Sequence, residues 1–158
     1  MKAASIVTLR KALTHLDRQA LQQLCLRLAR FKLENKELLT YLIFESEDEL
    51  QYIQSIKSQL DDLFDEINTK RYFFIKKSVR KILRRIRKFS RYSNAQETEV
   101  ELLLYFCSKM KTIQPSIFNN KTLTNLYNRQ VEASRKKTLK LHEDLQYEYK
   151  LQIEKLIK

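Results

Sequence analysis

The chain has 158 residues and a formal charge of +12, with no glycine, one proline and two cysteines. That length suffices for one domain with a proper core. The lack of glycine excludes the loops that cradle nucleotide phosphates and disfavours sheets joined by tight turns, which need positive φ.

A chain rich in Leu, Lys, Glu, Gln and Arg favours helices, and apolar residues at steps of three and four place them. Residues 5–14 form a short first helix with Ile6, Leu9 and Leu13 on one side. Asp17 is a good N-cap for the second, whose Leu21, Leu24, Cys25, Leu28 and Phe31 share one face, with Arg18, Arg27 and Arg30 off it. Asn35 is placed to cap a third helix with Leu38, Leu39, Leu42 and Ile43 inward. The run ESEDE at 45–49 breaks the pattern, and Ser46 with Glu49 has the spacing of a capping box.

The fourth helix carries Leu50, Ile53, Ile56, Leu60, Leu63, Phe64 and Ile67, close to a heptad seam. Asn68 and Thr69 turn the chain into residues 70–92, KRYFFIKKSVRKILRRIRKFSRY. Eleven of these are Lys or Arg and none is acidic, while Ile75, Val79, Ile82, Leu83, Ile86 and Phe89 make one apolar face. Ser93 or Asn94 caps the next helix, whose buried face is Val100, Leu103, Leu104, Cys107 and Met110. Pro115 marks residues 112–120 as a loop. Residues 119–157 read as one long helix that projects or breaks near 133–138, because Ser134 and Thr138 fill the inward positions there and bury little.

The expected fold is therefore all-α. Six to seven antiparallel helices, joined by short loops, stack as hairpins in a single domain over 1–158. The pattern is loosely similar to HEAT-like hairpins, a likeness of fold that carries no function. The longest apolar run, Leu38 to Phe44, has seven residues. A bilayer span takes about 20. Ala3 to Leu9 is too short for a signal peptide. Cys25 and Cys107 sit among apolar neighbours, which suggests two reduced, buried thiols in a cytoplasmic protein.

Asp61, Asp62 and Asp65 (D-D-L-F-D) resemble the aspartate-rich motif of helical isoprenoid synthases, where such acids hold Mg²⁺ against a diphosphate. No second metal motif accompanies them, so ion pairing is the preferred role. An antiparallel hairpin would bring Asp61–Glu66 alongside Arg71–Lys77, and Glu45–Glu49 level with Lys88–Arg91. His15 and His142 fit no metal pattern, and neither cysteine has a histidine near it in sequence. No enzyme activity, metal or cofactor is expected.

The remaining signal is the basic helix. Lys77, Lys81, Arg84, Lys88 and Arg91 form one row, with Arg80 and Arg87 beside it and Arg85 completing the central cluster. Arginine forks match phosphate oxygens, so a polyanion is the expected partner, with nucleic-acid backbone the first guess. With the helix ends neutralised by residues 45–66, the patch would centre on Arg80–Arg85 and run to Arg87. The alternative is a protein-interaction module, using this helix or the C-terminal one on an acidic or helical partner or a second copy. An amphipathic helix of this kind suits a membrane surface only if its apolar face is free.

Overall fold

The structure, a computed structural model, describes residues 1–157; the last residue of the 1–158 domain reading lies outside them. It is all-helical. Eight α-helices follow one another: α1 (Ile6–Leu13), α2 (Arg18–Phe31), α3 (Leu33–Thr40), α4 (Glu49–Asp65), α5 (Tyr72–Ser93), α6 (Gln96–Thr112), α7 (Lys121–Thr138) and α8 (Glu143–Ile157). A π-turn over Tyr41–Glu45 follows α3, and a 3₁₀ turn over Ile117–Asn119 precedes α7. Residues 119–157 thus hold two helices, α7 and α8, with a turn between them. The chain divides into two compact units, Met1–Phe44 and Glu45–Lys158.

In the first unit, Ser5 and Asp17 cap α1 and α2 by accepting from Thr8 N and Ala20 N. The third helix starts three residues earlier than its sequence suggests, at Leu33, with no side-chain cap. Asn35 instead donates to the Leu28 carbonyl, closing the end of α2 at 2.8 Å. α2 and α3 pack on each other. Contrary to expectation, the apolar stripes here are not core. No residue of α1, α2 or α3 is buried, and Leu24, Leu28, Phe31, Leu38, Leu42 and Ile43 are exposed. Cys25 is exposed too, so only Cys107 is a buried thiol.

The second unit is built around α6, which packs against α4, α5, α7 and α8. Its sequence explains this placement. Besides the expected Val100, Leu103, Leu104, Cys107 and Met110, it buries Thr98, Leu102 and Phe106, so it is apolar almost all round. α4 contributes Ile53, Ile56, Leu60 and Phe64, while Leu50 is left exposed. All six expected core residues of α5 are buried. α8 supplies Tyr149, Ile153 and Leu156.

The middle of α7 is also core, which corrects the reading that it buries little. Ser134 and Thr138 are fully buried, and their hydroxyls donate to the carbonyls of Gln130 and Ser134, each at 2.9 Å. This back-bonding satisfies small polar side chains without a partner helix. Residues 139–142 then turn the chain, so α8 folds back onto α7 and α6.

Caps fix the other junctions. Asp48 rather than Ser46 is the N-cap of α4, accepting from Gln51 N at 2.9 Å. Asn94 ends α5 in the left-handed region at φ 56°, where most chains place glycine. Ala95 is then the N-cap of α6, so neither Ser93 nor Asn94 has that role. The Gln114–Pro115 peptide bond is cis. Asn120 caps α7 through Leu123 N.

Candidate polyanion-binding groove

α5 places its charges by simple geometry. At about 100° per residue, Arg80, Arg84 and Arg87 fall within roughly 60° of one another, to one side of the buried Ile75–Phe89 stripe. α5 and α7 both lie on α6. Between them runs an open groove of about 580 Å³ lined by Arg80, Leu83, Arg84, Arg87, Thr122, Leu126, Arg129, Gln130 and Ala133. The lining holds four arginines and no carboxylate. Leu83 is buried and Leu126 half-buried, so the floor is apolar beneath the charged rim.

The α7 wall follows from its own spacing. Thr122, Leu126, Arg129 and Ala133 step by four, three and four, beside the buried stripe of Leu123, Tyr127, Val131 and Ser134. Arg129 is steadied by its Nε donating to the Asn125 carbonyl at 3.3 Å. Gln130 Nε2 donates to the Leu126 carbonyl at 3.3 Å. Glu132, one turn along α7 from Arg129, does not line this groove; it lines a separate cavity with Tyr127 and Val131.

The acids of α4 do not cover this groove, and the expected ion pairing with α5 is corrected in its main member. Asp61 turns to α6, where Lys109 pairs with it at 2.8 Å and the Tyr105 hydroxyl donates to it at 2.5 Å. The Lys109 and Tyr105 hydrogen bonds hold the Asp61 carboxyl below its ordinary value. Burial, reinforced by Asp61, pushes Tyr105 up to about 12. This pairing gives Asp61 a structural role, tying α4 to α6. Lys57, the one base of the acidic segment, pairs with Glu101 of α6, and Glu101 in turn accepts from Tyr149 of α8. Glu49 accepts from Ser93 and Thr98. The side chains of Arg80, Arg84 and Arg87 make no ion pair or hydrogen bond among the described residues.

The eight cations singled out from the sequence therefore separate. Arg80, Arg84 and Arg87 line the groove. Lys77, Lys81 and Arg91 are exposed but do not line it. Arg85 and Lys88 are half-buried and lie over the Phe89 ring, at 5.7 and 5.2 Å from its centroid. Arg85 Nε is buried without a hydrogen-bond partner. The sequence reading missed Thr122, Leu126, Arg129 and Gln130, since nothing in a single sequence says that α7 lies beside α5.

No family model, curated protein or solved structure matches the chain. No helix among the described residues is long and apolar enough to cross a membrane.

Proposed function

We propose that this protein is a non-catalytic binding protein that holds a phosphate backbone, of RNA or DNA, along the groove between α5 and α7. The observation that carries this reading is the convergence of four arginines from two helices on one groove whose lining contains no acid. Arginine presents a rigid fork of donors that matches two phosphate oxygens, and it stays charged at every accessible pH. Arg80 to Arg87 span seven residues, about 10 Å along the helix axis, which covers about three nucleotide steps at 3.4 Å per step of one strand. Contacts of this kind position a backbone without reading its bases, so binding should be sequence-tolerant and salt-sensitive.

The apolar floor of Leu83, Leu126 and Ala133 favours a second reading, in which the groove seats an acidic amphipathic helix of another protein. One experiment separates the two. Random-sequence single and double strands are titrated at low salt against the wild type and the Arg80→Glu/Arg84→Glu variant. Binding by the wild type and its loss in the variant support the nucleic-acid reading. No detectable binding at low salt overturns it.

A further inference from the structure

The strongest unexplained surface lies in the first unit. Of the 23 exposed large apolar residues among those described, 15 fall in the first 44 positions. On α2 they form a stripe. Leu24, Leu28 and Phe31 step by four and three and are 40 %, 60 % and 77 % exposed. Ala20 and Leu21, one turn earlier on the same side, are half-buried, while Leu24, Leu28 and Phe31 are exposed. Isolated exposed leucines are ordinary, but a contiguous stripe on one helix marks a contact surface.

The charge around the stripe indicates what it contacts. α2 contains Arg18, Arg27 and Arg30 and no acid, and residues 1–44 carry eight bases against three acids. On the helical wheel Arg27 lies about 40° from Phe31 and about 60° from Leu24, at the edge of the apolar stripe. This is the pattern of α5, an apolar stripe with a cationic flank, with one difference. In α5 the stripe is core, so that helix cannot lie on a membrane; in α2 it faces solvent.

We propose that this face of α2 docks on an anionic lipid surface. The helix lies in the headgroup plane, Leu24, Leu28 and Phe31 enter the acyl boundary, and Arg18, Arg27 and Arg30 reach lipid phosphates with their apolar stems along the interface. A second copy of the chain is a poorer occupant, because two such cationic faces repel each other.

Cys25 makes the test direct. It is exposed and about 60° from Leu28 on the wheel, whereas Cys107 is fully buried and its thiol is pushed up to about 12 by burial. A polarity-sensitive thiol dye on the full chain therefore labels Cys25. Vesicles of phosphatidylcholine with phosphatidylserine should shift its emission to the blue and carry unlabelled protein in flotation; vesicles of phosphatidylcholine alone should do neither. Leu28→Gln/Phe31→Ser should abolish both signals, and Arg27→Gln should weaken partitioning about fivefold. The groove variant Arg80→Glu/Arg84→Glu should keep the blue shift, so this outcome stands apart from the nucleic-acid reading. Absence of flotation with anionic vesicles overturns the proposal. So does flotation that survives Leu28→Gln/Phe31→Ser, or a dimer in light scattering that this variant dissolves while vesicle binding is missing.

Discussion

Asn94 shows how a chain without glycine closes its longest helix. Its φ of 56° costs an ordinary L-residue energy, because Cβ crowds the following carbonyl, and Asn tolerates the region better than most. Asn94→Gly should therefore raise stability by roughly 0.5 kcal/mol, and Asn94→Val should lower it by about 1–2 kcal/mol. Urea unfolding of the three proteins checks the order. Ser134 and Thr138 make a related point. Their hydroxyls look unsuited to a core in sequence, yet each is satisfied by the carbonyl four residues back. Polarity at an inward position is therefore a poor guide to exposure when the side chain is short enough to bond its own helix.

At the scale of the element, burial depends on how many neighbours a helix meets. α6 meets four, and Phe106 at its centre is fully buried beside Phe64, with ring centroids 5.8 Å apart. Phe106→Ala should cost about 3–5 kcal/mol, while Leu50→Ala, on an exposed position of α4, should stay within about 0.5 kcal/mol. Denaturant midpoints test the contrast. The stripe of α5 was legible because one strong periodicity coincided with one buried face. The stripe of α2 has the same periodicity and is exposed, since periodicity reports a face and not what covers it. Half of the groove was legible for the same reason: Arg80, Arg84 and Arg87 stand out on α5, but their companion Arg129 comes from a helix separated from α5 by all of α6. The break between α7 and α8 likewise has no proline or glycine to announce it.

For the whole molecule, the charge is distributed with a consequence for partners. The acids of residues 45–66 look able to neutralise the basic helix that follows them. In the fold their clearest partners, Lys109 and Tyr105 for Asp61, belong to α6. Among the described residues no carboxylate pairs with the groove arginines, and binding should release counterions in proportion to the phosphates neutralised. The most direct test of the account is the salt dependence of random-sequence duplex binding by the wild type and by Arg129→Gln and Lys77→Gln variants. Four groove arginines predict a log–log slope of about −3.6, reduced in magnitude by about 0.9 in Arg129→Gln. Lys77→Gln, outside the groove, should leave it nearly unchanged. An Arg129→Gln slope equal to the wild type, or a larger change in Lys77→Gln, would contradict the claim that α5 and α7 share one site.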